Sequence, residues 1–468
     1  MRPITLIALC LGFFMVIMDV TIVNVALPTL GAQLHASVSW LQWIVDGYTL
    51  SFAALLLTTG HLSDQFNAKK LFRSGIILFA LTSLFCGLVS VPWLLTSFRI
   101  VQGIAAALVV PTSLALIHMG VTEKKAHSKA IAIWAATGGI AAAVGPVIGA
   151  VLTSSLGWRA VFFVNVPIAI TCWWLTKNGI KVKVPNDHKK SFDWPGQIFA
   201  IFSIATLALA IIEAGHLGWK DPLVIGNFVV FFLSTVMFVI SEWYGKTPML
   251  PLTFFKIPSF RISILAGLLL NLGVYGEFFI LPLYFQHLRH YSVLATGLAL
   301  TPLTIIMPLS SYLSGKLINH LGDSKWPALL GLVIATIGYS GLLIAGEQTP
   351  AYYYFILPLL LLGFGVSMSM PALTILLMHS VPSNAAGLAS GAFNMSRQLG
   401  SLLGVAIFGS MIASTSNFIV GMHLTLYFGI TTYLFAVFLI GNLLRKKTPY
   451  LISDTLERPD TLGLTKVN

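Results

Sequence analysis

Apolar runs long enough to cross a bilayer recur along almost the whole chain, and the first of them, Phe13 to Pro28, carries a carboxylate, Asp19. A spanning helix needs about 20 mainly apolar residues. About fourteen such runs can be bounded on that criterion, near 4–28, 40–59, 72–91, 93–119, 131–153, 160–176, 194–213, 222–241, 262–284, 294–313, 327–345, 353–379, 386–412 and 422–443. Counting only twelve would strand roughly forty apolar residues in loops. With 57% hydrophobic and 9% charged residues, the chain is far from the about 25% charged composition of a soluble domain. It reads as an all-α polytopic membrane protein.

The net charge of +12 is a topology signal and not a nucleic-acid surface, because of where the charges sit. With fourteen spans and a cytoplasmic N-terminus, about 22 of the 27 Lys and Arg fall in cytoplasmic loops or tails, as the positive-inside rule requires. The clusters are Lys69, Lys70 and Arg73; Lys124, Lys125 and Lys129; Lys177 to Lys190; and Arg445 to Lys447. Both termini are therefore expected in the cytoplasm, with the chain in a bacterial cytoplasmic membrane. Cys10, Cys86 and Cys172 lie inside apolar runs without metal or disulfide spacing and read as core residues. The first run is too long for a signal peptide and lacks a clear small-residue cleavage site, so it reads as a retained helix.

The runs divide into an N-terminal six-helix bundle (1–176), a basic linker (177–193), two inserted helices with a loop (194–260), a C-terminal six-helix bundle (261–444) and a polar tail (445–468). Two six-helix halves are the plan of a transporter built from repeats, with its site at their interface. The stretch Gly60 to Lys70 between the second and third helices is echoed by Gly315 to Asp323 in the second half.

Acids within such helices are costly, about 3 kcal/mol each on insertion scales, and mark ion or substrate pathways. At 1.5 Å per residue, Asp19 lies about 13 Å below the outer face if its helix ends at Pro28, and Asp46 and Arg99 about 10 Å below it. Glu277 falls at a similar level. Asp19, Asp46, Arg99 and Glu277 are thus the proton-coupling candidates, with a buried Arg99–Asp ion pair as the structural alternative. On the second helix Gln42, Asp46 and Thr49 share a face. Asn24, Gln42, Trp43, Asp46, Asn271, Tyr275, Glu277, Asn394 and Arg397 are the candidate substrate contacts. Gly60, Asp64, Lys69 and Lys70 form a hinge candidate. On the fifth helix Gly139, Gly145, Pro146 and Gly149 provide a smooth, bendable edge for rocking.

Several of these segments match one known pattern. The chain resembles the major facilitator superfamily, and within it the fourteen-helix drug:proton antiporter branch, over essentially its full length. Asp19 to Pro28 resembles that branch's first-helix signature, and Trp43 to Tyr48 its second-helix signature. Gly60 to Lys70 is similar to the superfamily's loop motif, Arg99 to Gly103 to its fourth-helix motif linked to proton transfer, and Gly139 to Gly149 to the fifth-helix antiporter motif. In the loop, Gln65 and Asn67 stand where the family has Arg and Gly, and on the fifth helix Ala150 replaces a glycine. An asparagine can take the left-handed conformation that a turn glycine needs.

The resemblance implies alternating access and antiport. The expected activity is export of amphipathic, cationic drugs or toxic compounds against protons, with no cofactor beyond the proton gradient. The partners are a small-molecule substrate, protons and lipid, and the chain is expected to act as a monomer. A dedicated exporter of one metabolite, lipid or siderophore is the alternative, in which anionic cargo would meet Arg99 or Arg397. A non-transporting receptor or scaffold stands third. No phosphate loop and no nucleophile–base set points to an enzyme. On this reading Asp19→Asn abolishes coupled efflux without loss of expression.

Overall fold

The computed structural model describes residues 3–65, 67–121, 124–179, 193–245, 252–344, 351–381 and 386–445. All fourteen expected passages are present as helices in those segments. They are α1 (Pro3–Leu34), α2 (Val38–Gln65), α3 (Ala68–Leu88), α4 (Pro92–Gly120), α5 (Lys124–Leu156), a sixth passage made of α6 (Ala160–Phe163) and α7 (Asn165–Gly179), α8 (Trp194–Leu217), α9 (Pro222–Tyr244), α10 (Pro258–Leu283), a tenth passage made of α11 (Val293–Ile305) and α12 (Met307–Leu321), α13 (Lys325–Gly341), α14 (Tyr353–Met378), α15 (Ala386–Ala413) and α16 (Phe418–Arg445). Eleven passages are long and apolar enough to be recognised as spans by composition alone. The others are the short α6–α7 passage and the helices α2 and α15, whose mean hydropathy is lowered by Gln42 and Asp46 and by Arg397 and Gln398. Most of the 177–193 linker and nearly all of the 445–468 tail lie outside the described residues.

One boundary differs from expectation. α1 does not end at Pro28; the proline is inside the helix, which runs on to Leu34. Proline is tolerated in a membrane helix where neighbours satisfy the freed carbonyl. Measured from the true end of α1, Asp19 is about 22 Å down, and not the 13 Å expected.

α1 to α7 pack as one half and α10 to α16 as the other, with α8 laid against α2 and α15 and α9 packed on α8. An even number of passages puts the two chain ends on one face, here called the near end. The halves join at the far end. Gln42 Nε2 donates to the carbonyls of Ala406 (2.9 Å) and Val405 (3.3 Å), and Gln286 Nε2 donates to the carbonyl of Val25 (3.1 Å). Gly297 of α11 sits against Ala150 and the Pro146 carbonyl of α5, where a Cβ would collide. The far half of α1 is accordingly buried all round from Met18 to Pro28, whereas its near half exposes Ile4 and Ile7.

The two halves repeat each other in detail. In α4, Gly103 lets α2 approach so closely that any Cβ would strike Ser51 and the Tyr48 carbonyl; in α14, Gly363 does the same against the Leu303 carbonyl of α11. Each glycine stands at the same spacing before a helix-interior proline, Pro111 and Pro371. Those prolines lack the N–H that would bond the carbonyl four residues back. In the first half Thr59 Oγ1 donates to that carbonyl, on Ala107, at 2.6 Å; in the second Ser311 Oγ donates to Ser367 at 3.1 Å. A hydroxyl from the second passage thus repairs the proline break of the fourth passage in both halves.

Candidate functional site

Asp19 and Arg99 are brought together inside the first half. The guanidinium NH1 lies 2.5 Å from Asp19 Oδ2, and the two side chains are 0% and 1% exposed. Arg99 NH1 also donates to Gln102 Oε1 (2.8 Å), and its Nε donates to the Ile44 carbonyl (3.0 Å). Asp19 Oδ1 accepts from Gln102 Nε2 (3.2 Å) and Asn165 Nδ2 (2.7 Å). Asn165 is held in turn by Ser83, at 3.1 Å. The Tyr48 ring covers the guanidinium at 4.3 Å, with its own hydroxyl donated to the Val16 carbonyl. α1, α2, α3, α4 and α7 all contribute. The charges cancel and both carboxylate oxygens are engaged by donors.

Asp46 is different. It is 0% exposed, and neither carboxylate oxygen has a hydrogen-bond partner among the described residues. It stands one turn from Gln42 on the same face of α2, the face that Gln42 fastens to α15. A bare buried carboxylate is expensive unless paired, hydrogen-bonded or neutral. Asp46 therefore sits where the two halves meet, in the form most easily altered by a proton or a cation.

Across the seam, α15 carries a polar stripe of Ser390, Asn394, Arg397 and Ser401 at helical spacing. Its other sides are occupied: Gly400 and Gly404 press on α10 at Leu268 and Leu272, while Leu402 packs with Ala54 of α2 and Ile204 of α8. Asn394 bonds within its own helix, to Ser390. Asn271 of α10 donates to the Arg397 carbonyl (3.0 Å) and to Ser401 Oγ (3.3 Å), and its Oδ1 is unpartnered. Arg397 is half-buried, its Nε has no partner, and its guanidinium lies 6.0 Å from the Phe393 ring. Tyr275 is half-buried and packs against the cores of both halves. Asn24 is buried, with its amide donated to the Val20 carbonyl and its Oδ1 open.

Two candidates point elsewhere. Trp43 turns to the inserted pair, donating from Nε1 to Glu213 Oε1 of α8 at 3.4 Å. Glu277 faces the interior of the second half, beside Tyr339 and Tyr433.

On α5, Gly145 fits against Thr21 and Gly149 against the Ile22 carbonyl of α1, two and three residues beyond Asp19. Ala150 and Pro146 meet Gly297 of the other half. The motif helix is therefore wedged between the acid-bearing α1 and the far-end seam. Gly139 faces open space, where a Cβ would meet nothing. The surroundings of Gly60 and the side chain of Asp64 lie outside what the structure describes. Lys69 and Lys70 open α3, where Asn67 accepts from both of their backbone N–H groups (3.1 and 3.3 Å). Asn67 has φ −61° and ψ 100°, so it replaces the family's glycine as a helix cap and not by a left-handed turn. Gln286, Gly297, Glu213 and Thr59 were not picked out from the sequence; a neutral side chain that bonds a backbone carbonyl of another helix leaves no mark in hydropathy. Among the described residues no group of three or more His, Cys, Asp or Glu could hold a metal ion.

Comparison with known proteins adds three findings. A family model described as Major Facilitator Superfamily matches residues 9–405. The chain is 32% identical over 421 residues to the multidrug resistance protein Stp of Mycobacterium tuberculosis, covering 90% of this chain and 78% of that one. It is 32% identical to the methylenomycin A resistance protein of Bacillus subtilis, covering 89% of each, and 31% identical to the tetracenomycin C resistance and export protein of Streptomyces glaucescens, covering 88% and 76%. Among solved structures, a bacterial homolog of the human lysosomal transporter Spinster, crystallised inward-facing and unoccupied, superposes with a TM-score of 0.68 at 16% identity over 96% of this chain and all of that one.

Proposed function

From the membership of this chain in the Major Facilitator Superfamily, to whose drug-resistance efflux branch it belongs, we propose that it expels amphipathic, cationic compounds in exchange for protons, with Asp46 as the exchanging acid. Export of drugs or toxic compounds by alternating access is the activity of this branch and of this chain. It works in a bacterial inner membrane, and the positive-inside bias supports a near end, with both termini, in the cytoplasm.

The observation that carries the reading is Asp46, a buried carboxylate without a hydrogen-bond partner among the described residues, on the surface where the halves meet. Ionised, it holds a cation that arrives from the cytoplasm against Tyr275. When the halves rock and the far end parts, a proton from outside takes the carboxylate and the cargo loses its counter-charge. Return to the present arrangement closes the far end through Gln42 and Gln286 and delivers the proton inward. Asp19 offsets the charge of Arg99 throughout and ties α1 to α4, so that the first half moves as a body. In proteoliposomes, ethidium should drive proton release from the wild type, and Asp46→Asn should abolish it and weaken ethidium binding while the protein still folds. Undiminished ethidium-driven proton flux in that variant would refute the assignment.

One observation favours a second cargo class. Because Asp19 occupies Arg99, an acidic compound would meet Arg397, whose Nε has no partner among the described residues. A deletion strain with unchanged tolerance of cationic dyes but an accumulated acidic metabolite would select that reading.

A further inference from the structure

Arg99 has a counterpart position in the second half, and it is empty of charge. The paired glycines and prolines of α4 and α14 fix the register, and at the spacing where Arg99 precedes Pro111, Leu359 precedes Pro371; where Gln102 stands, Leu362 stands. Both leucines are 0% exposed. The third helices align as well. Gly75 of α3 packs on the Ala105 carbonyl of α4 and Gly331 of α13 on the Gly365 carbonyl of α14, which lie at matching positions. On that register Ser83, which steadies the Asp19 network through Asn165, corresponds to Tyr339, which stands beside Glu277. α10 is the counterpart of α1, and α16 of α7, by the helices they pack against.

We infer that Glu277, on the second repeat's counterpart of α1, binds a proton where Asp19 of the first repeat binds an arginine, and that this proton is exchanged during transport. The inference rests on the antiport reading above and adds a second acid to it.

The surroundings leave no other counter-charge. Glu277 is 0% exposed and neither oxygen is hydrogen-bonded among the described residues. The titratable groups facing it are Tyr339 from α13 and Tyr433 from α16. Each gives its hydroxyl hydrogen to an α10 carbonyl, Tyr339 to Gly273 (2.6 Å) and Tyr433 to Leu270 (2.8 Å). α14 offers leucines at the repeat positions, and α15 places Phe408 against Gly276; its Arg397 belongs to the seam, beside Asn271. A carboxylate with no cation beside it, and with no neighbouring donor but the Tyr339 hydroxyl that is already given to Gly273, is stable there only with a proton of its own. The two phenols are also suited to pass that proton on, since each can donate and accept. They reach down α10 to Leu270, next to Asn271, whose open Oδ1 adjoins the α15 stripe.

Two experiments test this. In infrared difference spectra, the wild type should show a protonated carboxylic C=O band that Glu277→Gln removes; its absence from the wild type would overturn the proton assignment whatever is transported. In proteoliposomes loaded with a pH dye, Glu277→Gln should lower the protons moved per ethidium by about half, whereas a ratio equal to the wild type's would overturn the exchange. Failure of the antiport reading itself is distinguishable, because the wild type would then show no ethidium-driven proton flux. The register has its own check. Leu359→Arg should be accepted when Glu277 is present to pair with it, and should lower thermal stability sharply in a Glu277→Gln background. Equal loss in both backgrounds would overturn the repeat correspondence.

Discussion

At the scale of single residues, two aspartates that look alike in sequence have opposite environments. Helical spacing gives the depth of a side chain but not which neighbour it will face, so Asp19 and Asp46 could not be ranked from sequence. The structure separates them through their donors: three side chains for Asp19, none for Asp46. The consequence for mutagenesis changes accordingly. Removing one partner of a buried ion pair costs about 3–5 kcal/mol because the other charge is stranded. Asp19→Asn is therefore expected to lower the melting temperature and the yield of protein, and not simply to silence a normally expressed transporter as the sequence suggested. The double change Asp19→Asn with Arg99→Met, which removes both charges, should recover most of that stability. Thermal melts in detergent measure both, and a single Asp19→Asn variant as stable as the wild type would refute the structural role.

At the scale of helices, periodicity and length were enough to place all fourteen passages, because an apolar run in a bilayer has few alternatives to a helix. The errors lie where a soluble-protein rule was carried over. Pro28 reads as a helix end, yet α1 absorbs it. The pairing of Pro111 with Thr59 and of Pro371 with Ser311 was invisible because it joins helices far apart in sequence. Thr59→Val should cost about 1 kcal/mol, the net worth of one hydrogen bond, and permit a sharper bend at Pro111. The glycines of α5 divide in the same way: the motif named Gly139, Gly145 and Gly149 together, but only the last two are pressed against another backbone. Gly139→Ala should leave transport and stability unchanged. Gly149→Ala puts a methyl 2.5 Å from the Ile22 carbonyl, and overpacking of this kind costs about 1–3 kcal/mol. Ethidium efflux by the two variants, normalised to expression, checks the contrast.

At the scale of the whole molecule, the far end is held by neutral amides reaching across to backbone carbonyls, and among the described residues not by ion pairs. Such bonds are worth about 1 kcal/mol each, weak enough to be broken and remade in every cycle. Gln42→Leu with Gln286→Leu should shift the balance toward an open far end by roughly tenfold, about 1.4 kcal/mol. Spin labels placed across that end would report it as a longer distance population, and an unchanged distribution would count against the latch. The overhang of α1 has a practical use. Its 32 residues stretch about 48 Å, well beyond the about 30 Å of hydrocarbon, and the last turns carry Ala32 outward as an exposed residue. All three native thiols are buried. One cysteine engineered at position 32 would thus be a solitary handle for an impermeant maleimide, and whether intact cells take up the tag would tell directly which compartment that tip enters.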